Sequence, residues 1–165
     1  MTTSKTKNLV LNGMIAALYI ALTLAVSPVA QGAIQFRISE GLNHLVVFNR
    51  KLRWGVLAGV VLFNLFFAEF GLVDVLFGGG QTFIALSLSA LMHRYIKSVP
   101  KRLVLGINIV FFTVSMFLIA LMLTMMLGLP FWMTYATTAL SELLIMSLSA
   151  PIMYGVNKVL KLENI

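Results

Sequence analysis

Long apolar segments alternate with short clusters of basic residues along this chain. Of its 12 Lys and Arg residues, all but Arg37 fall into four clusters. Hydrophobic residues make up 60% of the sequence and charged residues 10%, a composition typical of a protein that folds inside a lipid bilayer. The clusters are Lys5 and Lys7; Arg50, Lys51 and Arg53; Arg94, Lys97, Lys101 and Arg102; and Lys158 and Lys161.

Six apolar segments are candidates for membrane helices, each of which needs about 20 mostly apolar residues. The second segment is short and contains both polar and apolar residues. If it crosses the membrane, all four basic clusters lie on the same side, and if it does not, the second cluster lies opposite the first. Lys and Arg collect at the cytoplasmic ends of membrane helices. We therefore predict one all-α membrane domain over residues 1–165, a six-transmembrane-helix bundle with both termini cytoplasmic. The segments are Leu9–Pro28, Ser39–Phe48, Trp54–Phe70, Gly80–Ile96, Leu103–Leu127 and Phe131–Leu160.

The sequence argues against several classes of function. The net charge of +7 resides at helix ends and not on a basic face with interleaved aromatic residues, so nucleic-acid binding is not expected. The chain has no cysteine, and it lacks the recognised motifs of ATPases, zinc enzymes and nucleophilic hydrolases. We expect no catalysis, no metal site and no cofactor.

Polar residues gather in the predicted outer half of the bundle. The isolated Arg37 lies there with Glu40 and Asp74, and the predicted outer loops are 29–38, 71–79 and 128–130. Three glycines at 78–80 precede Gln81. They form either a flexible turn or the start of a helix whose free N–H groups can contact a polar ligand.

Glu142 lies inside the last apolar segment. It follows Phe131 by 11 residues, which places it roughly 16 Å along a helix, near the middle of the bilayer. A carboxylate at that depth costs roughly 2.5–3.5 kcal/mol on insertion scales. One explanation is a structural carboxylate paired with Arg37 or hydrogen-bonded to Ser141 or Tyr135. The explanation that we favour is a contact with a ligand or an ion.

Small residues recur at every fourth position of the first segment, at Gly13, Ala17, Ala21 and Ala25. A ridge of small side chains allows another helix to approach closely in lipid. That helix can belong to this chain's own bundle or to a separate membrane subunit, and the spacing is compatible with both.

Two stretches, NGMIAALYIALT at 12–23 and GAIQFRISE at 32–40, resemble the queuosine-precursor transporter (QueT) family. Its members are substrate-binding S components of energy-coupling factor transporters. The Gln-Phe-Arg-x-Ser-Glu core is the more specific part of the resemblance, and length and hydropathy agree over most of the chain. The segment 78–80, with three consecutive glycines, contains more glycine than the family pattern has at this place.

The resemblance implies a subunit that binds a micronutrient outside the cell and has no ATPase of its own. A transmembrane coupling protein and two ATPase subunits would be its partners, with docking at Gly13, Ala17 and Ala21 followed by toppling of the subunit in the membrane. The implied ligand is a 7-deazaguanine base, either queuine or its aminomethyl precursor. Carboxylates can accept the adjacent N–H groups of a guanine edge. The predicted substrate-binding residues are Gln35, Arg37, Glu40, Asp74, Gln81 and Glu142.

Other functions remain open at the level of sequence. A stand-alone secondary transporter would use Glu142 as a proton-coupled carboxylate. An intramembrane enzyme would need a catalytic constellation that the sequence lacks, and a scaffold would bind no ligand at all.

Overall fold

Helices make up all the regular structure in the residues that the computed structural model describes, which are 2–27, 35–95 and 99–164. A 3₁₀ helix, Ile38–His44, runs directly into α2, and a five-residue π-helical turn, Val75–Gly79, joins α4 to α5. The helices are α1 (Thr2–Ala25), α2 (Leu45–Phe48), α3 (Arg53–Phe67), α4 (Leu72–Asp74), α5 (Gly80–Tyr95), α6 (Lys101–Ser115), α7 (Phe117–Leu127) and α8 (Phe131–Leu160).

Within the described residues, four helical stretches are long and apolar enough to cross a membrane. They are Lys5–Ala25, Leu72–Met92, Lys101–Leu127 and Phe131–Leu160. Large apolar side chains along them are exposed, as expected for surfaces that contact lipid. The prediction of an all-α, membrane-spanning protein is therefore confirmed. The expected second and third spans are shorter, since α3 has 15 residues and covers only about 22 Å.

The second predicted segment lies in the interior of the bundle. Every side chain from Ser39 to Asn49 is buried, and α1, α3, α5, α6 and α8 surround it. A segment enclosed by protein on all sides needs no apolar face toward lipid, which explains its mixed sequence. Its backbone begins as a 3₁₀ helix, a form that is usually confined to short pieces.

The prediction of an outer loop at 71–79 is wrong for most of that range, because residues 72–79 are helical. Only Gly71 retains a turn conformation, with a positive φ of 53°. Gly78 lies within the π-helical turn and packs against Asn64, whose Nδ2 would lie 2.6 Å from an added Cβ. Close contact between helical segments, and not loop flexibility, therefore explains this glycine. Most of the predicted outer loop at 29–38, namely residues 29–34, lies outside the described residues.

Contacts between distant segments bring several basic clusters to one end of the bundle, which we call the basic end. Asn49 Nδ2 donates to the carbonyl oxygen of Leu162 at 3.0 Å, which joins the second and fourth clusters. Lys101 Nζ lies 3.7 Å from Glu163 Oε2, which adds the third cluster. The N–H of Gly55 donates to Asn12 Oδ1 at 2.6 Å, so the start of α3 lies beside the first half of α1.

Helices α1 and α3 approach closely at two glycines of α3. A Cβ added at Gly55 would lie 2.6 Å from the carbonyl oxygen of Asn12, and one added at Gly59 would lie 2.7 Å from Tyr19 Cβ. Backbone and Cβ atoms cannot rotate away, so any larger residue must push the helices apart. The position of α1 therefore depends on these two glycines.

Replacing Gly59 with alanine is expected to lower stability by about 1–3 kcal/mol, because the new methyl group overlaps Tyr19. Gly155→Ala is the matched control, since Gly155 is also helical and has nothing within 4 Å of an added Cβ. The control should be neutral or stabilising, because alanine has the higher helix propensity. Thermal unfolding in detergent measures both. Equal melting temperatures for the two variants would contradict the close approach.

Candidate functional site

A small polar cavity lies between the helices. Glu142 in its wall and Lys158 near the basic end lie on the same helix, α8, with 16 residues or about 24 Å between them. It holds about 20 Å³, enough space for about one water molecule. The chain brings residues from distant parts of the sequence to its wall. The residues that line it are Gln35, Arg37, Glu40, Gly78, Gln81, Thr82, Met116, Ile119 and Glu142.

Five of the six residues predicted to bind substrate line this polar cavity. They are Gln35, Arg37, Glu40, Gln81 and Glu142. One guanidinium and two carboxyl groups therefore share a space inside an apolar bundle, together with two side-chain amides. Such a set offers both hydrogen-bond donors and acceptors to a polar ligand.

Arg37 is held against α3 by two contacts. Its Nη1 donates to Asn64 Oδ1 at 3.2 Å, and its guanidinium carbon lies 5.5 Å from the centre of the Phe63 ring. Asn64 in turn donates through Nδ2 to the carbonyl oxygen of Asp74 at 3.0 Å. Because Phe63 and Asn64 are almost fully buried, this cation–π and amide contact fixes the position of the guanidinium.

Asp74 is buried but is not among the residues that line the cavity. Its Oδ2 accepts the N–H of Phe70 at 2.7 Å, which closes the turn between α3 and α4. Its backbone carbonyl accepts the hydrogen bond from Asn64. In this arrangement Asp74 positions Arg37 through Asn64.

Glu40 is anchored through both carboxyl oxygens. Tyr19 donates its hydroxyl to Oε1, and Asn43 donates its amide to Oε2. One turn along α1, Thr23 Oγ1 lies 2.6 Å from Ser39 Oγ. The buried face of α1 therefore holds the polar segment that carries Glu40, and the carboxyl group is fixed before any ligand arrives.

Glu142 differs from Glu40 because it has an unused oxygen. Its side chain is only 2% exposed, and its Oε1 has no hydrogen-bond partner among the described residues. Tyr135, one of the partners considered above, donates its hydroxyl to the carbonyl oxygen of Val114 instead. A buried polar atom left unpaired costs about 1–3 kcal/mol. This oxygen is therefore the one best placed to accept a ligand N–H.

Gln81 has a fixed orientation. Its Nε2 donates to Ser115 Oγ at 2.7 Å, and its Oε1 accepts the hydroxyl of Thr82 at 3.0 Å. Both side chains lie in the first turn and a half of α5, directly after the π-helical turn. The glycine run thus brings Gln81 and Thr82 to the cavity.

Sequence reasoning missed the residues that support this site. Tyr19 lies on the face of α1 opposite Ala17 and Ala21, and its hydroxyl on an otherwise apolar face was the available signal. For Asn64 the available signal was an amide side chain inside the apolar run 54–68. Trp132, near the start of α8, is 78% exposed and is not among the residues that line the cavity. Met116 and Ile119 form the apolar part of the wall.

The small-residue ridge of α1 faces outward. Gly13, Ala17, Ala21 and Ala25 are all exposed, whereas Tyr19 on the opposite face is fully buried. No atom of another described segment lies within 4 Å of a Cβ added at Gly13. The sequence left open whether the ridge packs on a helix of this chain or on a separate subunit. Among the described residues, no helix of this chain covers the ridge.

A model of the QueT transporter family matches residues 9–158, a range that includes every residue lining the cavity. The chain belongs to the QueT transporter family. It is 36% identical over 165 residues to the queuosine precursor transporter QueT of Lactococcus lactis subsp. cremoris (strain MG1363), and the match covers 96% of each chain. No solved structure matches the chain significantly.

Membership of the QueT family confirms the resemblance found in the sequence. Together with the four helices able to cross a membrane, it makes the chain a multi-pass cell-membrane protein of a transporter family and not an enzyme. The polar cavity is the candidate binding site of this transporter-family chain.

Tyr19→Phe is expected to destabilise this QueT-family chain by about 1–3 kcal/mol, because Glu40 Oε1 loses its buried donor. Thermal unfolding of the purified protein in detergent measures the loss. Tyr95→Phe is the matched control, since Tyr95 is 75% exposed and should change nothing. Identical melting curves for the two variants would contradict the anchoring of Glu40 by α1.

Proposed function

We propose that this chain is the substrate-binding S component of an energy-coupling factor importer and that it binds a 7-deazaguanine base in the polar cavity. The main support is the buried Oε1 of Glu142, which has no hydrogen-bond partner among the described residues and which shares the polar cavity with the anchored Glu40 and Arg37. The name of the Lactococcus relative, a queuosine precursor transporter, supports the choice of ligand class.

The chemistry of the ligand matches the donors and acceptors of the cavity. A guanine edge presents adjacent N–H donors, which one carboxylate can accept as a bidentate pair. Its carbonyl oxygen requires a donor, which Arg37 or Gln81 can supply. Queuine and its aminomethyl precursor carry an amine that is cationic near neutral pH. That amine favours a second carboxylate, so Glu40 and Glu142 can share the two tasks.

Binding requires the cavity to widen. At about 20 Å³ it is far smaller than the sites of several hundred Å³ that enclose small organic ligands. Met116 lies in the wall at the break between α6 and α7. Its unbranched side chain can adopt other rotamers at low cost. We expect this wall to move when the base enters, because the Glu40 side is fixed by hydrogen bonds.

The proposed partners are ATPase subunits and a transmembrane coupling protein. The sequence contains no ATP-binding motif, so ATP-driven uptake needs separate ATPase subunits. The outward ridge at Gly13, Ala17 and Ala21 offers a transmembrane coupling protein a surface of close approach. Toppling of the subunit on that partner would carry the base from the outer side to the cytoplasm.

We infer six membrane crossings with both termini cytoplasmic. Three contacts support this topology, because they bring segments that carry basic clusters together at one end. One joins the first half of α1 to the start of α3. The others join Asn49 to Leu162 and the start of α6 to Glu163. The positive-inside rule assigns that end to the cytoplasm. The polar cavity then opens toward the outer half, where an imported ligand arrives.

Glu142→Gln is expected to weaken binding of queuine about 10- to 100-fold, since a charge-assisted acceptor becomes an amide. Isothermal titration of the purified variant measures the change. Glu69→Gln is the matched control, because Glu69 is an exposed carboxylate near the same end and should leave the affinity unchanged. Unaltered affinity in Glu142→Gln would remove Glu142 from the site.

Ala17→Trp and Ala21→Trp are each expected to abolish uptake while queuine binding persists, because an indole on the ridge prevents close docking. Uptake is measured in cells with the full transporter, and binding is measured on the purified chain. Val110→Trp is the control, since Val110 is an exposed apolar residue of α6 outside the ridge. Normal uptake in both ridge variants would contradict docking at α1.

Uptake by liposomes that contain only this chain separates the proposal from its main alternative. An S component without ATPases should accumulate no base against a gradient. Accumulation that collapses when the proton gradient is dissipated would instead establish a stand-alone secondary transporter with Glu142 as its proton-coupled carboxylate.

A further inference from the structure

We propose that a groove between α6 and α8 at the basic end binds one anionic phospholipid, with the phosphate at Arg102 and Lys158 and an acyl chain along the groove. The groove encloses about 320 Å³ and lies apart from the polar cavity, with which it shares no lining residue. Its walls belong to two helices that are each able to cross a membrane.

The groove is apolar along its length and basic at its mouth. Leu105, Gly106 and Ile109 line it from α6, and Ala150 and Pro151 line it from α8. From residue 102 to residue 109 it extends about 10 Å along the helix, which suits the upper part of an acyl chain. Its neighbours on the same helices, such as Leu103 and Ile152, are exposed apolar residues, so the groove opens toward lipid.

Two cations lie around the ring of Tyr154, which lines the groove together with Arg102. The Arg102 guanidinium carbon lies 5.4 Å from the centre of the Tyr154 ring, and Lys158 Nζ lies 5.1 Å from the same centre. Cation–π contacts keep both long side chains near the groove. The neighbouring Lys101 is paired elsewhere, because its ammonium lies 3.7 Å from Glu163 Oε2.

Gly106 leaves the space that an acyl chain would fill. Glycine inside a helix costs about 1 kcal/mol relative to alanine, and close packing against another part of the protein would account for it. Apart from its chain neighbours and the backbone of its own helix, no atom of the described residues lies within 4 Å of a Cβ at Gly106. The glycine therefore serves no close contact within the described residues, and it deepens the groove.

The apolar groove and the two cations beside it together favour an anionic phospholipid as the ligand. A phosphate alone would use the two cations but would leave the apolar groove unused, and a zwitterionic lipid would bring a second cation to Arg102 and Lys158. Basic residues near the membrane surface contribute about five-fold each to the binding of anionic lipid. An anionic phospholipid such as phosphatidylglycerol satisfies both parts of the site.

Native mass spectrometry of the delipidated chain tests this site with phosphatidylglycerol and phosphatidylcholine of identical acyl chains. The expected result is one retained phosphatidylglycerol, bound about 25-fold more tightly than phosphatidylcholine because two cations contribute. Arg102→Gln and Lys158→Gln should each weaken it about five-fold, and Gly106→Leu should weaken it by filling the groove. Millimolar glycerol phosphate should not displace it.

Arg53→Gln is the matched control, because Arg53 is another cation near the basic end that contacts a ring, Trp54, at 4.7 Å. It should leave phosphatidylglycerol binding unchanged. Equal binding of the two lipids, an equal loss in Arg53→Gln, full binding in Gly106→Leu, or displacement by glycerol phosphate would each overturn the proposal. None of these outcomes depends on which ligand the polar cavity binds.

Discussion

The burial of two carboxyl groups and one guanidinium inside an apolar bundle is the constraint on which the rest of this structure depends. Charged groups are costly in such surroundings unless neighbouring groups hold them. Tyr19 and Asn43 hold Glu40, and Asn64 and Phe63 hold Arg37. Tyr19 lies on α1, and Phe63 and Asn64 lie on α3, two helices that approach closely at glycines of α3. Asn43 lies on the 3₁₀ helix that also carries Glu40.

The same constraint separates the functions of the two faces of α1. Its buried face fixes Glu40 through Tyr19 and fixes Ser39 through Thr23. Its outer face presents the small-residue ridge without a partner from the described bundle. One helix thus connects the ligand site to the surface at which we propose that the coupling protein docks, so a shift of α1 on docking would reach Glu40 directly.

Sequence patterns predicted the helical class and most of the cavity wall, because intramembrane polar residues such as Arg37 and Glu142 are costly enough to mark a site. They did not predict the π-helical turn at 75–79, since glycines suit a loop and a tight helical contact equally well. They also missed Tyr19 and Asn64. These residues support the cavity through contacts across the bundle, and the distances that bring them there depend on three-dimensional packing and not on local periodicity.

The central claim is that anchored carboxylates recognise a guanine-type edge. Isothermal titration of the purified chain tests it most directly, with the aminomethyl 7-deazaguanine base and with the same base lacking its exocyclic 2-amino group. The account predicts saturable binding of one base per chain and an affinity about 10- to 100-fold lower without the amino group, because one buried charge-assisted hydrogen bond is lost. Equal affinities for the two bases, or no saturable binding of either, would contradict it.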